Sequence, residues 1–227
     1  MSRTVLVAGA SSGVGLATAE ALRDAGHTVH AAARREIPLD GVTGHRLDIT
    51  DRAAVDALAA QLGGLDVLVV AAGANIKERR LHQLTGETWD FMLGANLTGP
   101  FNLVRAFLPA LREAHGDLVV ISSVSGRWTD RSGPAYAAAK AGAIALTHGS
   151  GFEVDGEVRC TAILPGVIDT PILDNRPEPP PPEMRAQMLK AEDIAATVLF
   201  AISLPPRAYI PELTILPTAL QAIGKTQ

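Results

Sequence analysis

The sequence predicts a doubly wound α/β fold: one parallel sheet of about seven strands with helices on both faces. Short β-branched runs alternate with Ala/Leu-rich stretches of helical length along the chain. Most of the short runs lack polar/apolar alternation, as strands buried on both faces do. A glycine-rich turn joins the first run directly to the first helical stretch.

In order, the strands are read at Thr4–Ala8, Thr28–Ala33, Leu65–Ala71, Leu118–Ser122, Val158–Leu164 and Glu212–Leu216, with a short third strand ending at Asp48. Helices are expected near Val14–Ala25, Asp51–Leu62, Phe101–Glu113, Tyr136–Thr147 and Asp193–Leu204, and Val55, Leu58 and Leu62 show the apolar spacing of three and four residues that makes one helix face. Gly26 fits the position after the first helix, and Thr50 fits an N-cap with Asp51 in the first turn. Gly149, Gly151 and Gly156 follow the fourth of these helices; each internal glycine costs about 1 kcal/mol relative to alanine, which predicts that the helix ends early. Pro177 to Pro182 reads as a loop.

Composition sets the bounds. The chain has 227 residues, 47% hydrophobic and 19% charged, enough for one well-filled domain spanning 1–227. With 20 Lys+Arg against 24 Asp+Glu the net charge is −4, so no broad basic field draws the chain to nucleic acid or anionic lipid. No apolar run reaches the roughly 18 residues that a membrane span needs. One cysteine, Cys160, cannot form an internal disulfide and reads as a small buried hydrophobe. Met1–Val7 does not read as a leader, so a reduced, cytoplasmic protein is expected. The histidines show no ligand spacing, so no metal is expected, and Trp89 and Trp128 read as core or pocket wall.

The turn Gly9-Ala10-Ser11-Ser12-Gly13-Val14-Gly15 carries the first chemistry. Glycines let backbone approach a pyrophosphate, and the N–H groups opening the next helix face the anion. A ligand-free glycine turn is the bland alternative. At the end of the second strand stand Arg34 and Arg35, where an acid would be expected to accept ribose hydroxyls in an NAD-selective site. The arginines favour a 2′-phosphate instead, hence NADP(H); a solvated surface pair is the alternative, and Glu36 could blunt the preference. Asp48 could accept from an adenine amino group, or cap the helix that follows.

Ser123, Tyr136 and Lys140 form the sharpest constellation. Tyr136 and Lys140 are four apart in an Ala-rich stretch, so a helix puts both on one face, and Pro134 fits its start. Ser123 ends a buried strand. Hydride delivery to a carbonyl needs a proton donor at the developing alkoxide: a phenol can serve, an ammonium nearby would lower its pKa, and a serine hydroxyl can hold the oxygen. Arg127 and Arg131, in the loop between Ser123 and Tyr136, could meet an anionic substrate group or be merely solvated.

Together these segments resemble the short-chain dehydrogenase/reductase family from about Arg3 to Thr218. The resemblance implies a Rossmann-like fold and an NADP-linked oxidoreductase that interconverts a ketone or aldehyde with an alcohol. The Gly9, Gly13, Gly15 spacing matches the family's glycine motif, with Ala8 replacing its threonine, and Ser123, Tyr136 and Lys140 match its catalytic residues. Asn96 matches the asparagine that helps hold a water linking the lysine to solvent, with helix capping as its plain alternative. Pro165, Gly166, Ile168 and Thr170 match the segment that receives the nicotinamide carboxamide, while Ile49, Ala72 and Gly73 fall beside the adenosine. Residues 171–190 correspond to the variable substrate loop. Val70-Ala71-Ala72-Gly73 departs from the family's Asn-Asn-Ala-Gly and loses two side chains that pin neighbouring strands. The C-terminal run resembles the branch holding 3-hydroxy-acid and serine-type dehydrogenases and broad carbonyl reductases. A homo-oligomer, dimer or tetramer, is implied as well. The alternatives are a non-catalytic dinucleotide sensor on the same fold and an NAD-linked alcohol dehydrogenase.

Overall fold

The computed structural model describes residues 2–128 and 130–220. Its elements run β1 (Thr4–Ala8), α1 (Gly13–Asp24), β2 (Thr28–Ala33), β3 (Thr43–Arg46), α2 (Arg52–Leu62), β4 (Val67–Val70), α3 (Gly86–Leu93), α4 (Gly99–Glu113), β5 (Asp117–Ile121), α5 (Pro134–Glu153), β6 (Arg159–Pro165), α6 (Pro182–Arg185), α7 (Ala191–Ser203) and β7 (Glu212–Ile215). The seven strands form one parallel sheet in the order β3-β2-β1-β4-β5-β6-β7. Strand order reverses between β1 and β4, and this is where a doubly wound sheet opens a crevice beyond its carboxyl ends. The expected α/β sheet is therefore the one that forms.

Alternation along each strand assigns the two faces. Leu6, Leu68, Val70, Leu118 and Val120 pack with Val55, Leu103 and Phe107 of α2 and α4. Their neighbours Val5, Val7, Val67, Val69 and Val119 pack on the other side with Leu22 of α1 and Ile194 and Val198 of α7. Both faces are buried, so the strands can be apolar throughout. At the opposite end from the crevice, the buried Asp117 receives Arg3 Nη2 at 2.6 Å and Arg159 Nε at 2.7 Å, pinning the start of β5 to its neighbours.

Local chemistry sets the ends of the elements. Gly26, at φ +84, closes α1 with a Schellman pair: its N–H donates to Arg23 O and the next N–H, of His27, to Leu22 O. The N-cap of α2 is Asp51, whose carboxylate accepts from Ala54 N at 3.1 Å, and not Thr50, whose hydroxyl donates instead to Asp48. Asp48 is thereby held by Thr50 and does not cap the helix. The helix α3, capped by Thr85, was not expected from the sequence, and it runs into a widened π turn at Gly94–Thr98.

The early end expected for the helix carrying Tyr136 is overturned. The helix carrying Tyr136 continues through Gly149 and Gly151 to Glu153, while Gly156 lies beyond it in a turn at φ +83. Packing overrides propensity here. Thr147 and Ser150 are buried, and Val154 after the last turn joins the core. Gly151 faces the sheet, where an added Cβ would lie 3.2 Å from Cys160 Cβ. Cys160 is buried in that core, as expected, and burial pushes its thiol up to about 12.

Gly149 has nothing within 4 Å of an added Cβ. Gly149→Ala is therefore expected to stabilise the protein by about 1 kcal/mol in urea unfolding. Gly151→Ala, crowded by Cys160, is expected to give no such gain.

Candidate active site

The carboxyl ends of β1, β4, β5 and β6 open into a cavity of about 890 Å³. Its floor is the glycine turn, and two of the three motif glycines are required by chain packing alone. Gly9 has φ +94, and a Cβ there would lie 2.6 Å from Ala72 N; a Cβ at Gly15 would lie 2.3 Å from Gly9 O. The close approach of Gly9 to Ala72, with Ala71 N donating to Ala8 O, joins β1 to β4 at the place where the Asn-Asn pair is missing. Gly15 is buried and does not line the cavity, whereas Gly9, Ser11, Ser12, Gly13 and Val14 do. Ser12 precedes α1 without a side-chain cap, and the first turn of α1 holds no acid, so its N–H groups face the cavity uncompensated.

Arg34 and Arg35 are exposed and both line the cavity. Arg35 Nη2 lies across the turn, donating to Ser11 Oγ at 3.2 Å and Ser12 Oγ at 3.1 Å. Glu36 forms no ion pair with either arginine among the described residues. Arg46, at the end of β3, shares a neighbouring hollow with them and is a third cation that the sequence reading missed. Asp48 and Ile49 line the same end, and two hydrogen bonds from Thr50 hold the Asp48 carboxyl below the usual range, with Arg34 adding to the effect.

Across the cavity, Ala72 and Gly73 follow β4, and Pro165, Gly166, Ile168 and Thr170 follow β6. An added Cβ at Gly13 would lie 3.2 Å from Thr170 Cγ2, so the turn and the β6 segment approach each other over the site. Asn96 is wholly buried behind this wall, in the π turn. Its Oδ1 accepts from Ala74 N, and its Nδ2 donates to Ala74 O and Met92 O. It braces the segment after β4 and caps no helix.

Ser123, Tyr136 and Lys140 converge on one wall. Helix α5 starts with Pro134 at its first turn and is held against the end of β5 on two sides. Ser122 Oγ donates to Lys140 O at 2.8 Å, and Lys140 Nζ donates to Ile121 O at 3.0 Å. Lys140 is 5% exposed, and burial pushes its ammonium down to about 8. Its Nζ lies 5.7 Å from the centre of the Tyr136 ring and 3.4 Å from where a Cβ on Gly73 would sit. The Tyr136 phenol does not show the lowering that a nearby ammonium was expected to give: burial pushes it up to about 12, with the Ser123 hydroxyl pulling the other way. Ser123 Oγ makes its own hydrogen bonds with Ser125 at 3.1 Å. A protonated phenol, a buried ammonium and a hydroxyl around one cleft can together deliver a proton to a developing alkoxide.

The residues present fit a dinucleotide with an extra phosphate. N–H groups without a side-chain cap and a serine pair lie at the glycine turn, two exposed guanidiniums that form no ion pair among the described residues at the end of β2, and small residues along the wall between.

Some expectations fall outside this cavity. Arg127 pairs with Glu212 and does not line the cavity, and neither does Arg131. The arginines of the wall that act on Tyr136 are Arg79 and Arg176 instead, distant from it in sequence and brought in by the segments after β4 and β6. Trp89 and Trp128 stay off the wall, and Trp128 is exposed. Among the described residues no helix is long and apolar enough to cross a membrane.

Comparison with known proteins agrees with this fold. The family model described as short chain dehydrogenase matches residues 3–180. The 3-oxoacyl-(acyl-carrier-protein) reductase MabA of Mycobacterium avium is 36% identical over 176 residues, covering 75% of this chain and 69% of that protein. An uncharacterized oxidoreductase of Staphylococcus aureus (strain MW2) is 32% identical over 230 residues, covering 95% of this chain and 97% of the other. A closed form of serine dehydrogenase complexed with NADP+ superposes with a TM-score of 0.89 at 27% identity, covering 99% of this chain and 98% of that one. An alcohol dehydrogenase from the archaeon Thermococcus sibiricus, complexed with 5-hydroxy-NADP, does so with a TM-score of 0.85 at 25% identity, covering 98% and 99%.

The buried Lys140 makes stability depend on pH. The folded protein gives up this proton near 8 while the unfolded chain keeps it to the usual 10.5, so between those values the unfolded state binds more protons and stability rises with pH. Relative to Lys140→Met, wild type is expected to gain about 3 kcal/mol between about pH 7 and about pH 10.5 in urea unfolding. A difference that stays flat with pH would contradict the burial of the charge.

Proposed function

The chain belongs to the short-chain dehydrogenase family, and on that premise we propose that it is an NADP(H)-dependent oxidoreductase interconverting a ketone or aldehyde with an alcohol. The observation that carries this reading is the convergence of Ser123, Tyr136 and Lys140 on one wall of a cleft whose far end holds Arg34 and Arg35. The fold neighbours solved with NADP+ and with 5-hydroxy-NADP support the cofactor, and the reductase and dehydrogenases among the relatives support the reaction class. The working unit is the domain of residues 1–227, with 171–190 as its substrate loop, acting on a small molecule in the cytoplasm and as a homo-oligomer.

The glycine turn, Ser11, Ser12 and the start of α1 would hold the pyrophosphate, with Gly15 permitting the turn from below. Arg34 and Arg35 would hold the 2′-phosphate, Asp48 and Ile49 the adenine, and Ala72 and Gly73 the adenosine ribose. Pro165, Gly166, Ile168 and Thr170 would receive the carboxamide, and Lys140 the second ribose. When bound, the nicotinamide supplies or accepts the hydride at the carbonyl carbon.

The protein's part is the proton. Ser123 donates a hydrogen bond to the carbonyl oxygen and so stabilises charge as it builds. Tyr136, protonated throughout the neutral range because burial holds its phenol up at about 12, donates the proton to that oxygen in reduction. In oxidation it must lose that proton first, so the alcohol direction gains with rising pH. Lys140 retains its ammonium below about 8 and offsets the phenolate as it forms. Asn96, by bracing Ala74, holds the wall beside Lys140 through which the proton is replaced.

Two outcomes test the reading. Tyr136→Phe is expected to lower kcat by at least about 10²-fold while NADPH affinity, followed by fluorescence titration, stays within about threefold. In the same titration at fixed ionic strength, wild type is expected to bind NADPH at least about tenfold more tightly than NADH, and Arg34→Ala with Arg35→Ala to abolish the difference. Equal binding of both nucleotides by wild type would remove the arginines from the site.

A further inference from the structure

The end of the cleft beyond Tyr136 holds a buried cation that the proton chemistry does not use. Arg79 lies between β4 and α3, is 5% exposed and lines the same cavity as Tyr136. Its Nε donates to Ile76 O at 2.8 Å and its Nη2 to Asn175 O at 2.5 Å, both uncharged acceptors. Those bonds take two of the five N–H groups of a guanidinium. Among the described residues Arg79 forms no ion pair.

Its position is built into the backbone. Gly133 has φ +94, and an added Cβ there would lie 2.5 Å from Arg79 O, so the start of α5 presses directly on Arg79 three residues before Tyr136. The bond to Asn175 ties the segment after β4 to the loop after β6, and both border the same cleft.

Arg176 lines the same wall, and its charge and that of Asp130 attract one another. Asp130 is fixed by Ser125 Oγ at 2.6 Å and Ser132 N at 2.8 Å. The charge of Asp130 also acts on Arg79, but among the described residues no carboxylate lies within ion-pair distance of Arg79. Asp90, also on the cavity wall, is exposed. Arg185 and Lys190, on the outer side of the loop, are matched by Asp169 and Asp174. A buried cation with no carboxylate in contact is costly, and a planar guanidinium is shaped to meet a carboxylate with two parallel bonds.

We propose that Arg79, with Arg176 beside it, binds a carboxylate carried by the substrate near its reacting carbonyl, so that the natural substrates are oxo acids and the matching hydroxy acids. The proposal rests on the carbonyl–alcohol reading above and names the substrate class of that site. Arg79 is the specificity-determining residue: it orients the carbonyl under Ser123 and Tyr136 by holding the other end of the molecule.

The test uses the full chain with NADPH and two matched pairs of probes, pyruvate against methyl pyruvate and acetoacetate against methyl acetoacetate, together with uncharged ketones and aldehydes. Wild type is expected to favour at least one acid over its ester by about tenfold or more in kcat/KM. Arg79→Gln is expected to lower that acid's kcat/KM by about 10- to 100-fold while the ester changes by less than about threefold, and Arg79→Lys to keep part of the preference. Wild type that reduces the esters or the neutral carbonyls but prefers neither acid would overturn the proposal, as would Arg79→Gln lowering acid and ester equally, the mark of a tie between loops. The acid-to-ester ratio of wild type and the Arg79→Lys variant decide the matter if Arg79→Gln does not fold. No reduction of any carbonyl compound, despite NADPH binding, would be a different failure, that of the carbonyl reading itself.

Discussion

A charged group is buried where β5 ends, and the site is arranged around it. Lys140 carries an ammonium into the interior, where it meets the carbonyl of Ile121 and little solvent. Burying a charge is costly, and that cost pushes the Lys140 ammonium down. The lysine stays there because α5 cannot move away. Ser122 holds the Lys140 carbonyl, and Gly126 leaves no room for a side chain, since an added Cβ would lie 2.8 Å from the Lys140 carbonyl carbon. Fixing Lys140 also fixes Tyr136 one turn earlier on the same helix face. A site of this kind takes stability from the fold and holds a phenol and an ammonium in fixed places, the usual exchange between stability and preorganisation.

The cleft has two positively charged ends of different character. Arg34 and Arg35 stand in solvent, so their hold on an anion is screened by salt and is a matter of preference more than of raw affinity. Arg79 is enclosed, little screened and fixed by backbone acceptors, so it suits discrimination between a charged and an uncharged substrate. Between them the wall is lined by small residues, Gly73 among them, that let a flat ligand lie close to the sheet. The crevice exists because strand order reverses between β1 and β4.

Legibility in the sequence divided along physical lines. Strands and helices that bury one face or two were readable from apolar pattern, and all the predicted boundaries that the structure describes fall within two residues except the end of α5. That end depended on a contact across the sheet, Gly151 against Cys160, which no local propensity encodes. The cap of α2 was misplaced by one residue because Thr50 and Asp51 are both good caps and only the geometry of Asp48 chooses between them. Tyr136 and Lys140 were legible because they sit on one helix at fixed spacing, and Ser123 because it follows the buried run of β5. Arg79 and Arg176 were not, because irregular segments after two different strands carry them to one wall. A glycine at Gly133 directly before Pro134 was the one local sign that something must pass close to the start of that helix.

The most direct measurement is hydride transfer itself. Wild-type protein mixed with NADPH carrying deuterium at both C4 positions of the nicotinamide and with a panel of small carbonyl compounds is expected to yield an alcohol carrying deuterium on its carbinol carbon, detected by mass spectrometry. Bound NADPH that gives no labelled alcohol from any of them would contradict an oxidoreductase built on Ser123, Tyr136 and Lys140.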